Sequence, residues 1–111
     1  MEISQKLNNS VPILEIKGEV DLYNAKDLKE IIDQLIQQGK YKIVINLKEV
    51  PFMDSSGIGT LVTSMYKLQK YGGNLKVANI HGSVAKVFKM TNINSSIEVY
   101  GNEEDAVNSF Q

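Results

Sequence analysis

Between Leu28 and Leu68 the spacing of apolar residues changes twice, and this constrains the fold more than any other feature of the chain. Leu28, Ile31, Ile32, Leu35 and Ile36 recur at i, i+3, i+4, i+7 and i+8, the pattern of one helix face. Ile43, Val44 and Ile45 follow without a break, as expected of a short strand covered on both faces. Ile58, Leu61, Val62, Met65 and Leu68 then return to helical spacing and stop near Gly72 and Gly73. A helix, a doubly buried strand and a second helix imply an α/β sheet covered by helices, with right-handed crossovers where strands run parallel.

The flanking segments extend this pattern. Ile3 to Leu7 and Val11 to Lys17 are β-prone and separated by Asn8, Asn9 and Ser10, which predicts a hairpin. Pro12 lacks an N–H and is therefore expected at the start of its strand or on a non-bonding edge. The first helix is expected over Ala25 to Gln38, with Asn24 as its N-cap, Asp27 favourable to the dipole and Gly39 as its stop. Lys42 to Leu47 is the candidate central strand, and Asn74 to Ala78 is another strand. Ser83 to Met90 forms a short helix, Ile97 to Tyr100 a last strand and Glu103 to Phe110 a terminal helix. At 111 residues, with no repeat, linker or low-complexity stretch, the chain reads as one domain over 1–111.

Charge and composition narrow the function. Twelve basic residues against thirteen acidic ones lack the positive excess of a nucleic-acid binder, so direct contact with DNA or RNA is not expected. The apolar runs are too short to span a bilayer and MEISQKLNNS has no secretory character, which points to the cytoplasm and away from a membrane. The absence of cysteine removes disulfides, thiol catalysis and cysteine-bound metal.

The segment PFMDSSGIGT, Pro51 to Thr60, lies where a strand ends and an amphipathic helix begins. Asp54, Ser55 and Ser56 are all able to cap that helix, whose free N–H groups could hold an anion. Gly57 and Gly59 each cost about 0.8–1 kcal/mol relative to alanine inside a helix, so close packing or close approach of a partner must account for them. GIGT lacks the Lys-Ser/Thr ending of a phosphate-binding loop, and no third glycine completes a dinucleotide fingerprint. The single histidine, His81, is not placed by the sequence beside either serine, so a hydrolytic triad is unsupported, as is a zinc site. His81 is expected in a loop or cap before the third helix. In GEVDLYNA, Gly18 to Ala25, Asp21 stands between strand and helix, where a plain capping role explains it well.

Taken together, GEVD at Gly18 to Asp21 and INLKEVPFMDSSGIGTL at Ile45 to Leu61 resemble the STAS-domain anti-sigma factor antagonists. The order of elements agrees across essentially the whole chain. The resemblance implies a mixed sheet packed against helices that lie predominantly on one side. It implies a non-enzymatic switch, without cofactor or metal, whose unphosphorylated form binds an anti-sigma factor serine kinase and frees a sigma factor. It further implies that this kinase phosphorylates the serine after the loop aspartate, here Ser55, and that a metal-dependent serine phosphatase restores it. The residues by themselves leave Ser55 and Ser56 equivalent; the resemblance selects Ser55. The partner-binding set it implies is Asp21, Asn24, Asp54, Ser55, Ser56, Gly57 and Gly59. A second reading is a stand-alone domain binding a small anion or nucleotide at the start of the second helix and relaying ligand state to a protein.

Overall fold

A computed structural model describes all residues, Met1–Gln111. The chain runs β1 (Glu2–Asn8), β2 (Val11–Lys17), α1 (Ala25–Gln37), β3 (Lys42–Glu49), α2 (Ser55–Gln69), β4 (Asn74–Ala78), α3 (Gly82–Met90), β5 (Val99–Tyr100) and α4 (Glu103–Asn108). A single 3-10 turn, Ile93–Ser95, precedes β5. The sheet order follows the sequence, β1-β2-β3-β4-β5, with β1 antiparallel to β2 and the other neighbours parallel. The expected mixed sheet is therefore present.

Local chemistry explains the first elements. Asn9 and Ser10 both have positive φ, 51° and 68°, as a two-residue hairpin turn of the primed type requires. Pro12 pairs with Leu7, one residue before the first registered pair with β3, Ile13 with Val44, so its missing N–H leaves no gap in the parallel ladder.

Period-two alternation divides the strands between two cores. Leu14, Ile16, Ile43, Ile45, Leu75 and Val77 face α1, α2 and α3, where they meet Leu28, Ile32, Leu61, Met65, Val84 and Phe88. Ile13, Val44 and Ala78 face the other way, against Ala106 and Val107 of α4. Coverage on both faces is why Ile43, Val44 and Ile45 are apolar in succession. Three helices lie on one side and one on the other.

The strand β3 runs two residues past the expected Leu47, to Glu49, the bounds of β1, α1 and α3 move by one residue, and two further boundaries are set by remote contacts. The last strand is Val99–Tyr100 rather than Ile97 to Tyr100, because Ile97 is buried in the larger core instead of extending the ladder. The terminal helix stops at Asn108 rather than Phe110. Buried Lys76, 6% exposed, donates to Ser109 O at 3.1 Å and Ser109 Oγ at 2.8 Å, and its Nζ lies 4.3 Å from the Phe110 ring centroid. A cation at a helix C-terminus is favourable, and this one also packs Phe110 against the sheet.

On the opposite side Asp33 of α1 joins α1 to α2, accepting from Lys29 Nζ at 2.8 Å and Lys67 Nζ at 3.0 Å. Partial burial pushes the Asp33 carboxyl up, but hydrogen bonds from Lys29 and Lys67, and their charges, outweigh it and hold it below the usual carboxylate range. A carboxyl depressed in the folded state adds stability above its unfolded value, and that contribution is lost as pH falls through the folded one. Asp33→Asn is expected to cost about 0.5–1 kcal/mol at neutral pH, the scale of a partly exposed pair. The difference from wild type should vanish in urea unfolding near pH 2, and it should also shrink in high salt.

Candidate functional site

Two connections leave the C-terminal ends of neighbouring parallel strands, one from β2 to α1 and one from β3 to α2. They remain hydrogen-bonded to each other after the regular strands stop. Gly18 N–H donates to Glu49 O, Val20 N–H to Phe52 O and Asp54 N–H to Val20 O, each at 3.0 Å, and Val20 and Met53 form a parallel bridge. Both of those side chains are fully buried, so the two connections share an apolar floor.

Asp21 sits in the first connection and begins a helical turn ahead of α1. Ala25 N–H donates to Asp21 O at 2.9 Å, and Asp21 Oδ1 accepts from Tyr23 N–H at 2.9 Å and Asn24 N–H at 3.0 Å. Asn24 Oδ1 returns the favour by accepting from Asp21 N–H at 2.9 Å, while Asn24 Nδ2 donates to Glu19 O at 3.0 Å. This reciprocal pairing is a capping box. It corrects the expected role of Asn24, whose side chain makes no cap bond to α1. The turn that needs capping starts three residues earlier, so Asp21 is the cap and Asn24 the residue that folds back. Asp21 Oδ2 has no partner within the protein.

Asp54 is the cap of α2. Its extended backbone, φ −88° and ψ −176°, lets Oδ1 accept from Ser56 N–H at 2.9 Å and Gly57 N–H at 3.2 Å. Its other oxygen, Oδ2, accepts from Leu22 N–H at 3.1 Å in the first connection. Ile58 N–H donates to Asp54 O at 3.1 Å, so among the first four amides of α2 only that of Ser55 lacks an acceptor.

Ser55 is the first residue of α2; it is exposed and its hydroxyl makes no hydrogen bond to the protein. Ser56 is half-buried. The glycines have different reasons. A Cβ on Gly57 would lie 2.7 Å from Met53 Cγ and 2.9 Å from Val20 Cγ1, so this glycine lets α2 rest on the floor shared by the two connections. A Cβ on Gly59 would meet nothing within 4 Å, and the position is exposed.

The third helix braces this end of the sheet. Ser83 Oγ donates to Pro51 O at 2.6 Å, and His81 Nε2 lies 2.8 Å from Lys48 O. His81 caps α3 by position but its ring is spent on a backbone carbonyl rather than on either serine. No three His, Cys, Asp or Glu side chains come together as a metal site would require.

Sequence reasoning missed the apolar rim of the site. Leu22 and Tyr23 are 67% and 81% exposed in the first connection, and Phe52 is exposed in the second. A signal was present: Leu22 and Tyr23 are large apolar residues outside the helical period of α1.

The two glycines can be separated by measurement. Gly57→Ala is expected to destabilise the fold by about 1–3 kcal/mol through overpacking. Gly59→Ala should stabilise it by up to about 1 kcal/mol. Denaturant unfolding of the two variants reads both signs.

Comparison with known proteins fits this geometry. The family model for the STAS domain matches residues 2–106. The chain is 32% identical over 107 residues to the anti-sigma-B factor antagonist of Bacillus subtilis (strain 168), covering 96% of this chain and 97% of that protein. The crystal structure of an anti-sigma factor antagonist from Mycobacterium paratuberculosis superposes with a TM-score of 0.89 at 22% identity, covering 98% of this chain and 92% of that one. The Bacillus cell fate determinant SpoIIAA in its phosphorylated form gives a TM-score of 0.76 at 23% identity, covering 99% of this chain and 100% of that one. A helix start built on Asp54 and Ser55, joined to a capped Asp21 turn on a five-stranded mixed sheet, thus belongs to a chain that is a member of the STAS-domain anti-sigma factor antagonist family.

Proposed function

We propose that this protein is a phosphorylation-controlled anti-sigma factor antagonist of the cytoplasm. Its unphosphorylated form binds an anti-sigma factor that is also a serine kinase, and so frees a sigma factor. The kinase transfers the terminal phosphoryl group of ATP to Ser55 Oγ, with loss of the hydroxyl proton and departure of ADP, and binding ends. A metal-dependent serine phosphatase hydrolyses the ester and restores the binding form. The observation that carries this reading is the placement of Ser55: an exposed, unbonded hydroxyl at the first position of a helix whose cap is fixed to the neighbouring connection. Membership of the family and the phosphorylated form of SpoIIAA add support.

The partner face we assign is built from Asp21, Asn24, Asp54, Ser55, Ser56, Gly57 and Gly59. Within it the unbonded Asp21 Oδ2, Ser55 and the bare backbone at Gly59 are the elements offered outward. Asn24, Ser56 and Gly57 hold that surface in shape through the capping bonds and the close packing on Met53 and Val20.

Electrostatics gives the switch its direction. A phosphoserine brings about −1.5 to −2 charges beside Asp54. Two unit charges about 5 Å apart repel by roughly 3 kcal/mol at an effective dielectric near 20 and by less than 1 kcal/mol in water. In the free domain water and the amides of the helix start offset much of the charge, so any change stays local and the fold persists. In a closed interface the phosphate loses hydration, and affinity falls by orders of magnitude.

Binding of a free anion at the start of α2 is the weaker reading, because Asp54 already occupies the donors such a ligand would use. Titration with phosphate and nucleotides in the absence of a kinase should show no saturable binding.

Incubation with source-cell extract and Mg-ATP, followed by mass spectrometry, should place one phosphoryl group on Ser55 and none in Ser55→Ala. The phosphoprotein should release the kinase yet melt cooperatively, and Ser55→Ala should stay bound. Asp21→Asn should weaken kinase binding with little change in melting, since asparagine caps about as well as aspartate. Phosphorylation of another residue, or undiminished binding by the phosphoprotein, would contradict the proposal.

A further inference from the structure

Resting on the reading of Ser55 as phosphoacceptor, we propose that Asp54 is a positioning residue that transmits the state of Ser55 to the Leu22–Tyr23 turn. The carboxylate is divided between two elements. Oδ1 holds Ser56 N–H at 2.9 Å and Gly57 N–H at 3.2 Å in α2, and Oδ2 holds Leu22 N–H at 3.1 Å in the neighbouring connection. One rigid group therefore fixes the helix start and the turn together.

A phosphate on Ser55 disturbs that division for two reasons. It is attracted to the same helix N-terminus as Asp54, where Ser55 N–H is the one amide of the first four without an acceptor. To gain any further helix donor it must take Ser56 or Gly57 N–H from Oδ1. It also sets a second anion beside the first, and the Asp54 carboxylate turns away. At the far side of the carboxylate the Leu22 amide then loses its charged acceptor, a bond stronger than a neutral one.

The turn is suited to respond. Leu22 and Tyr23 are 67% and 81% exposed, so little side-chain packing holds them. Asp21 and Val20 are tied by the capping box and by the bonds to Phe52 and Asp54, which limits the change to the turn itself. The two exposed apolar side chains border the proposed partner face, so a shift there removes contacts that lie away from the phosphate.

The test is partner-independent. Phosphoserine is built into position 55 by semisynthesis, and the amide signals of Leu22 and Tyr23 are compared with those of the unmodified protein by proton–nitrogen NMR. Asp54→Ser supplies the second arm, because serine still caps α2 but is too short to reach Leu22 N–H as well. In the chain with Asp54, phosphoserine should move the Leu22 amide proton upfield and shift Tyr23. In Asp54→Ser the Leu22 amide should already be upfield, and phosphoserine should add no further shift there. An unmoved Leu22 amide in the phosphorylated chain with Asp54 overturns the proposal, whatever the stability of the variant. An equal response in Asp54→Ser does so too. Because the phosphate is installed chemically, either failure is separate from failure of the kinase reading, which shows as absence of phosphoryl transfer to Ser55.

Discussion

The Asp54 carboxylate ties the start of α2 to the neighbouring connection from β2 to α1. Helix α2 begins with amides that need acceptors, and the connection from β2 to α1 presents the Leu22 amide beside them. A carboxylate has two oxygens and answers both needs, whereas a serine or asparagine cap would answer one. Beneath it the pairing of Val20 with Met53 and the absence of a Cβ at Gly57 allow the helix to come down onto the sheet. Ser55 is exposed, while Asp54 and Ser56 on either side are half-buried.

This arrangement separates stability from function in an unusual place. Helix starts are ordinarily where caps stabilise and ligands bind with the same amides. Here the cap takes most of them, leaving an exposed hydroxyl rather than an anion pocket at the helix start. Covalent modification can change such a site where a freely diffusing anion gains little. The remainder of the domain keeps its own cores, divided by the sheet, with Asp33 joining α1 to α2 and Lys76 holding the end of α4. A charge added at Ser55 touches none of those interactions.

Much of the fold was legible because its signals are local. The i, i+3, i+4 spacing in α1 and α2, the Asn9–Ser10 turn and the unbroken Ile43–Val44–Ile45 run each reflect a period or a φ preference that a few residues encode. Boundaries that depended on remote partners were not legible. Ile97 reads as strand by composition but is drawn into the larger core, and Phe110 reads as helix but follows the end set by Lys76, 33 residues from Ser109 in sequence. Asn24 reads as a cap by its position before the apolar period, yet its oxygen is taken by the backbone of Asp21.

For the site, the sequence by itself determined the chemistry available: two acidic caps, two serines and two glycines at strand-to-helix junctions, with no cysteine and one histidine. Through its motifs it also determined the family resemblance. It could not distinguish the two serines or the two glycines, because solvent exposure and free space around a Cβ are properties of the packed neighbours. Tertiary structure decided that Ser55 faces solvent while Ser56 is half-buried, and that Gly57 is enforced by Met53 and Val20 while Gly59 is sterically free. It alone brought Leu22 to Asp54, 32 positions apart, because parallel β2 and β3 deliver their connections to the same end of the sheet.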